Sequence, residues 1–200
     1  MKSICISLCI LTTTYASSAQ ETDSLTQTPD SLHTYTSIAE ALKHPDLVFY
    51  LDLSKQKLKE FPAEIFTFKN LVSLDLSRNK IAVIPAEITS LKNLEELNLS
   101  RNKIKEMPAA LFDLKHLKKL ILNQNLIESI PSEIRKLEQL EYLDMWSNEL
   151  AYFPNEMSQL KKLKEFDLRN IQINQTEQQR LSKLLPETKI HFSQSCNCGN

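Results

Sequence analysis

The amino-acid sequence predicts a protein of the α/β class: a right-handed solenoid curved into an arc, with a parallel sheet on its concave side and short helical or irregular turns on its convex side. Three observations predict this fold: the alternation of leucine within each unit, a proline at a fixed position, and a constant period between units. Within a short stretch of each unit, leucine alternates with polar residues, and a proline follows at a fixed distance. Self-similarity at a constant period indicates stacked units that each bury one face against the next. Leucine recurs every 23 residues, at Leu71, Leu94, Leu117, Leu140 and Leu163.

The unit at 71–93, LVSLDLSRNKIAVIPAEITSLKN, shows how one repeat is expected to fold. Its first residues alternate at period two, so Leu74 and Leu76 point inward while Ser73 and Asp75 point outward, which is typical of a short strand with one buried face. The rest of the unit must return across the opposite side, so that the next strand can pair in parallel beside the last.

Five consecutive units, over 48–162, follow the pattern LxxLxLxxNxIxxIPxxIxxLxx, and the start of a sixth extends the repeats to 170. In the first unit Gln56 replaces the recurring asparagine. The pattern resembles the leucine-rich repeat family in its 23-residue form, and it is similar to the repeats of Ras-suppressor-like and plant intracellular Ras-group-related proteins. The resemblance implies a solenoid that acts by binding another molecule.

Asparagine and proline each recur at one position of the unit. An asparagine amide both donates to and accepts from the backbone of buried turns, so a structural ladder is expected, with ligand binding by these side chains as the alternative. The prolines are expected to start each outer turn. The ladder comprises Asn79, Asn102, Asn125 and Asn148; the prolines are Pro62, Pro85, Pro108, Pro131 and Pro154.

Three parts are predicted upstream of the repeats: a signal peptide at 1–19, a flexible polar leader at 20–36 and a helical cap at 37–47. The cap is expected because a solenoid exposes its core at both ends. A serine followed three residues later by a glutamate, Ser37 and Glu40, is a capping box and predicts the start of a helix there. That helix is expected to cover the first strand.

The signal peptide is predicted from a lysine near the start, a short apolar stretch and a run of small residues, with cleavage after Ala19. A membrane anchor is one alternative, although the apolar run is shorter than the roughly 18 residues that a span needs. A lipid on Cys9 is another. The prediction places the protein in the periplasm, on the cell surface or outside the cell, with no transmembrane segment in the mature chain.

Downstream, residues 171–192 are predicted to form a C-terminal cap. Asn174 opens a helix that Pro186 ends, and a last strand follows. The sixth unit departs from the repeat pattern with Ile171 at the asparagine position, which indicates a terminal repeat.

Composition argues against nucleotide chemistry and catalysis. The only glycine is Gly199, whereas phosphate-binding loops need glycine where the backbone approaches the ligand. Lysine plus arginine total 24 against 25 for aspartate plus glutamate, so the whole molecule has no net field to attract nucleic acid. The sequence contains no nucleophile elbow and no His-Glu-x-x-His motif. We therefore expect no enzymatic activity, no cofactor and no nucleic-acid partner.

One group of residues resembles part of a metal site: His191 with Cys196 and Cys198, the last two in a tail at 193–200. Three ligands are too few for a closed structural zinc site, and the tail offers little apolar sequence to order them. We therefore predict no metal, and a flexible or oxidised cysteine-containing tail.

The predicted binding site is the set of outward strand positions on the concave face, which vary between units while the scaffold positions stay constant. An acidic column within it is expected either to keep the fold soluble or to attract a basic partner, with calcium as a weaker alternative. The partner-binding residues predicted from this register are Tyr50, Asp75, Glu96, Lys119, Ile121, Tyr142, Asp144, Trp146, Asp167 and Arg169.

Within this face the sharpest prediction is an exposed aromatic cluster of Tyr142, Trp146 and Ile121, flanked by charges. Such a composition is typical of binding hot spots. The alternative is that the irregular sixth unit folds over Trp146 and buries it. The predicted function is a protein–protein interaction module, with a glycan or cell-surface ligand as the alternative.

Overall fold

The computed structural model describes residues 33–193 and contains one open sheet of eight parallel strands in sequential order. The predicted solenoid is therefore confirmed over this part of the chain. Each repeat contributes one short strand, and consecutive strands pair side by side. The strands are β1 Thr34–Tyr35, β2 Tyr50–Asp52, β3 Ser73–Asp75, β4 Glu96–Asn98, β5 Lys119–Ile121, β6 Tyr142–Asp144, β7 Glu165–Leu168 and β8 Lys189–Phe192.

The return segments contain short 3-10 helices, and two α-helices lie near the ends: α1 at Ile38–Ala41 and α2 at Gln175–Leu184. A recurring proline precedes each of the five repeat turns in extended conformation, as the sequence predicts. The 3-10 helices span Pro45–Leu47, Ala63–Thr67, Ala86–Ser90, Ala109–Asp113, Ser132–Lys136 and Asn155–Gln159.

A single apolar core runs between the sheet and the return segments. The central residue of each three-residue strand points into it, so that Leu74, Leu97 and Leu120 stack in neighbouring units, each almost fully buried. The core begins at Tyr35 and continues to Leu185 without interruption. Burial of this continuous stack is the main stabilising contribution, because no single repeat can bury its own apolar face.

The asparagine ladder joins each repeat to the one before it. The Asn125 side chain donates to the carbonyl of Leu122 in its own unit and of Leu99 in the preceding unit, both at 2.9 Å. Its amide oxygen accepts a bond of 3.0 Å from the backbone N–H of Ile104. Asn79, Asn102 and Asn148 repeat the arrangement with their own neighbours. These side chains are therefore occupied inside the scaffold.

The residue before each ladder asparagine has a left-handed backbone, although none is glycine. Gln124 is one of them, with φ of 53°, and its buried Oε1 has no hydrogen-bond partner among the described residues. A left-handed conformation costs a non-glycine residue about 1–2 kcal/mol. The same conformation recurs with the repeat period at Lys55, Arg78, Arg101, Gln124, Ser147 and Asn170.

Gln124→Gly should therefore raise the free energy of unfolding, by about 0.5–1 kcal/mol, because relief of the left-handed strain exceeds the added entropy of glycine in the unfolded chain. Urea denaturation measures the change. Glu128→Gly is the matched control: Glu128 is exposed in the same loop without a positive φ, and its replacement should lower the free energy of unfolding. A loss of stability in both variants would contradict the prediction.

The structure differs from the sequence prediction at the N-terminal side. Thr34–Tyr35, placed in the flexible leader by the sequence, form β1 because they pair in parallel with β2 and Tyr35 is buried. The helix after Ser37 begins as predicted, but it has only four residues and the Ser37 side chain makes no capping bond. The capping box was therefore wrong, and Leu42 remains exposed. The predicted signal peptide and residues 20–32 of the leader lie outside the described residues.

The C-terminal elements follow the predicted pattern. The Asn174 side chain accepts a bond of 2.9 Å from the backbone N–H of Glu177 at the start of α2, and Leu181 and Leu185 join the core. Arg180 anchors α2 to the last repeat by donating to the carbonyl oxygen of Phe153 at 2.7 Å. No helix within the described part of the chain is long and apolar enough to cross a bilayer.

Candidate partner-binding face

The outward side chains of the strands form what we call the open face of the sheet. Parallel pairing places Tyr142 between Lys119 and Glu165, and Asp144 between Ile121 and Asp167. The register matches the columns predicted from the sequence. Eight of the ten predicted partner-binding residues therefore lie in six neighbouring strands, and Trp146 and Arg169 follow two residues after Asp144 and Asp167.

The aspartates of the open face have a structural task that the sequence analysis missed. Asp75 Oδ1 accepts a bond of 2.7 Å from the backbone N–H of Ser77, two residues further on. This bond closes the turn that follows the strand. Aspartate and asparagine side chains commonly have this role in turns. The signal was present in the sequence as aspartate or asparagine at this position of nearly every unit. The same bond joins Asp52 to Ser54, Asn98 to Ser100, Asp144 to Trp146 and Asp167 to Arg169.

Asp144 is almost fully withdrawn from solvent, with 8% of its surface exposed. Its Oδ1 accepts the Trp146 backbone N–H at 3.0 Å, and its Oδ2 accepts the Asn123 side-chain amide at 2.6 Å. Burial raises the pKa of Asp144 above its ordinary value, although these two hydrogen bonds oppose the shift. Both oxygens are thus engaged within the fold, rather than displayed to a basic partner.

Asp167 is similarly withdrawn, with 4% of its surface exposed, and it forms an ion pair with Arg169. Arg169 donates its backbone N–H and its Nε to Asp167 Oδ1, each at 3.0 Å. Burial alone would raise the pKa of Asp167, but the hydrogen bonds and charge of Arg169 outweigh it and lower that pKa. The guanidinium of Arg169 is still largely exposed, so the pair presents a positive rather than an acidic surface.

The aspartates of the predicted acidic stripe are therefore largely engaged by hydrogen bonds within the fold, and Asp167 is also paired with Arg169. At the other end of the face, Asn98 Nδ2 donates to Asp75 Oδ2 at 2.8 Å, so this carboxylate also has both oxygens bonded. Across residues 33–193, no cluster of three histidine, cysteine, aspartate or glutamate side chains could hold a metal ion. Cys196 and Cys198, the other members of the predicted metal-like group, lie outside the described residues.

The aromatic cluster lies at β5, β6 and the turn after β6, towards the C-terminal side of the open face. Tyr142, Trp146 and Ile121 are each half-buried, so Trp146 is neither fully exposed nor fully buried. Lys119 Nζ lies 5.9 Å from the centroid of the Tyr142 ring, within reach of a cation–π contact. Burial, followed by the nearby Asp144 carboxylate, raises the pKa of Tyr142 above its ordinary value.

A shallow pocket adjoins the cluster. Its volume is about 150 Å³, which suits one small side chain rather than a drug-sized ligand. Tyr50 lies beyond the pocket on β2 and is half-buried. The residues that line the pocket are Ser73, Leu74, Asp75, Glu96, Leu97, Asn98, Lys119 and Ile121.

The sheet is open and parallel, with one strand per repeat, and hydrogen bonds of the asparagine ladder join neighbouring repeats. This arrangement defines a repeat solenoid. A family model described as a leucine-rich repeat region matches residues 74–191. The chain belongs to the leucine-rich repeat family. Comparison with curated proteins gave no significant match.

Solved structures with the same fold include a leucine-rich repeat protein of Leptospira interrogans, at 32% identity and a TM-score of 0.62 over 74% of this chain and 43% of that one. The ectodomain of the Arabidopsis thaliana receptor kinase GASSHO1/SCHENGEN3, solved in complex with CASPARIAN STRIP INTEGRITY FACTOR 2, is 28% identical, with a TM-score of 0.61 over 72% of this chain and 18% of that one. Internalin C2 of Listeria monocytogenes shares the fold at 22% identity, with a TM-score of 0.65 over 80% of this chain and 67% of that one. The chain thus spans less than half the length of the first two proteins.

Proposed function

We propose that this chain is an exported interaction module that binds another protein on the open face, centred on Tyr142, Trp146 and Ile121. The aromatic cluster is the observation that carries the proposal. Large aromatic side chains with part of their surface still accessible gain most from being covered by a partner. The predicted signal peptide supports export.

The surroundings of the cluster favour burial against a partner. Asp144 and Asp167 retain their internal hydrogen bonds when water is excluded, so covering them leaves none of their carboxylate oxygens without a donor. The exposed part of Arg169 offers donors at the edge of the cluster. An apolar centre with satisfied polar neighbours is the arrangement found in energetically important parts of interfaces.

The structural relatives support binding as the activity. The Arabidopsis receptor ectodomain was solved with a factor bound to it, and it shares the fold with this chain. Since folds host more than one function, the proposal depends on the site itself rather than on this likeness.

Replacement of Trp146 with alanine should weaken partner binding about 30-fold, which corresponds to about 2 kcal/mol at an aromatic hot spot. Affinity capture from the native compartment with the wild-type chain and the variant would identify proteins retained only by the wild type. Calorimetry with the purified partner then measures the ratio of dissociation constants. Circular dichroism establishes that the variant has kept its fold.

Tyr152→Ala is the matched control, because Tyr152 is an aromatic residue with 61% of its surface exposed that is not among the predicted partner-binding residues. Its loss should leave binding unchanged. Equal weakening by both variants, or unchanged binding with Trp146→Ala, would contradict the proposed site. A glycan array that retains the chain through Tyr142 and Trp146, with no protein partner captured, would favour a carbohydrate ligand instead.

A further inference from the structure

A second surface lies in the loops that leave the first three repeat strands. Lysine or arginine occupies alternate positions in these loops, and every one of these side chains is exposed. We call this surface the basic rim. It comprises Lys55, Lys57, Lys59, Arg78, Lys80, Arg101, Lys103 and Lys105.

Charge is strongly segregated along this edge. Residues 55–60, 78–83 and 101–106 contain eight cationic side chains and two carboxylates, a local net charge of +6 in a chain whose total is −1. The equivalent loops at 124–129 and 147–152 contain one glutamate each and no cation. A solvated edge that only kept the protein soluble would have no reason to collect cations on three adjacent units.

The cations of the basic rim are not neutralised by the scaffold. None of the eight forms an ion pair with a carboxylate within residues 33–193. The open-face acids Asp52 and Asp75 each accept a backbone N–H and form no ion pair with these cations within residues 33–193. The positive potential of the rim is therefore available to a ligand.

The backbone holds these cations in regular rows. Lys80 N–H donates to the Leu58 carbonyl at 2.7 Å, and Lys103 N–H donates to the Ile81 carbonyl at 2.8 Å. These bonds continue the parallel ladder around the turn, so equivalent side chains start about 4.8 Å apart. Rows at this spacing suit an extended, repeatedly charged chain better than a single ion.

An apolar pocket opens at the same rim. Ala82, Val83, Ile84 and Pro108 supply its apolar lining, and Lys103, Lys105 and Glu106 its charged groups. Val83 has 71% of its surface exposed, the most of the large apolar side chains with exposed surfaces among the described residues. The volume of about 380 Å³ accommodates one large apolar side chain.

These two observations together point to a polypeptide. Single-stranded nucleic acid is bound on aromatic platforms, and the basic rim contains no aromatic residue. A sulfated polysaccharide matches the charge but brings no apolar side chain for the pocket. An extended acidic peptide brings both, because its carboxylates can follow the cationic rows while one side chain enters the pocket.

We propose that the basic rim binds an acidic, extended segment of a partner polypeptide, with one large apolar side chain of that segment in the pocket at Val83. The basic rim shares no residue with the predicted partner-binding residues of the open face. The proposal therefore stands or falls independently of the aromatic cluster.

Fluorescence anisotropy with the full chain and two labelled peptides tests the proposal. Each peptide has about eight residues, enough at about 3.3 Å per residue to span three repeats, and consists of glutamates around one central phenylalanine or alanine. We expect the phenylalanine peptide to bind at least about tenfold more tightly. Binding should weaken between about 0.1 M and about 1 M salt, because the Debye length falls from about 10 to 3 Å.

Two kinds of variant distinguish the contribution of charge to peptide binding from that of the apolar contact. Lys103→Glu/Lys105→Glu should weaken both peptides about tenfold or more, whereas Val83→Ser should weaken only the phenylalanine peptide. Lys161→Glu/Lys183→Glu makes the same change in net charge at exposed lysines outside the rim, and should leave both affinities unchanged.

Three outcomes would overturn the proposal. Equal affinity for the two peptides would remove the pocket from the site. Tighter binding of a sulfated polysaccharide or a single-stranded oligonucleotide than of the phenylalanine peptide would make the rim a general polyanion site. Absence of measurable binding at low salt, with circular dichroism unchanged, would leave the rim a solvated edge.

Discussion

Asn125→Ala is expected to lower the free energy of unfolding by about 3 kcal/mol. The substitution removes the acceptor of the Ile104 backbone N–H, which lies in the buried turn of the preceding repeat. A buried donor left without a partner costs about 1–3 kcal/mol. The bonds to the Leu99 and Leu122 carbonyls are lost as well, although the first keeps Asn102 and the second keeps Asn148 as an asparagine donor.

Urea denaturation followed by circular dichroism and by tryptophan fluorescence measures this loss. Trp146 is the only tryptophan, so its fluorescence reports the unit after the substitution, whereas circular dichroism reports the whole sheet. Coincident transitions would show that the repeats unfold together, and separated transitions that the mutation has uncoupled them.

Asn93→Ala is the matched control for the ladder. Asn93 is an exposed asparagine whose side chain also donates to a carbonyl of the preceding repeat, that of Lys69 at 3.0 Å. Because water replaces this bond, the loss should stay below about 1 kcal/mol. Similar losses from Asn93→Ala and Asn125→Ala would show that the ladder gains nothing from burial, contrary to the structural role assigned here.

Phe112→Ala is expected to cost about 3–5 kcal/mol, the range for removing a fully buried phenylalanine. Phe112 lies in the 3-10 helix Ala109–Asp113 and has no exposed surface. The variant leaves a cavity between return segments that the surrounding units are unable to fill without moving. Thermal and urea unfolding measure the loss.

Phe66→Ala tests whether burial rather than residue type sets this cost. Phe66 occupies the same repeat position, but it is half-buried and stacks on Phe61 with ring centroids 6.2 Å apart. Its removal should cost clearly less than that of Phe112. An equal or larger loss from Phe66→Ala would contradict the packing seen at Phe112.

Much of the fold could be predicted because its signals are local and repeated. Period-two alternation sets which strand residues face the core, and the constant 23-residue interval aligns neighbouring strands, so the columns of the open face follow. The capping box at Ser37 failed because such a pattern allows a side-chain bond without requiring one. The role of Asp75 was missed because a bond to the backbone two residues away is invisible when residues are sorted only as inward or outward.

The sequence by itself determined the stack: where each strand begins, which leucines it buries, and which asparagines and prolines recur at its turns. Only the tertiary structure shows which outward side chains remain available to contact a partner. Asp144 lies in the acidic column by sequence, yet Asn123 from the neighbouring strand and the Trp146 backbone occupy both its oxygens.

The burial of Phe112 on the convex side likewise depends on tertiary structure. Its repeat position is occupied by Thr89 in the preceding unit and by Arg135 in the next. Periodicity assigns that position to the surface, and the structure buries the phenylalanine completely. The physical reason is common to both cases. Hydrogen bonds and packing between repeats join residues far apart in the chain, so availability to a partner depends on contacts that a single unit does not contain.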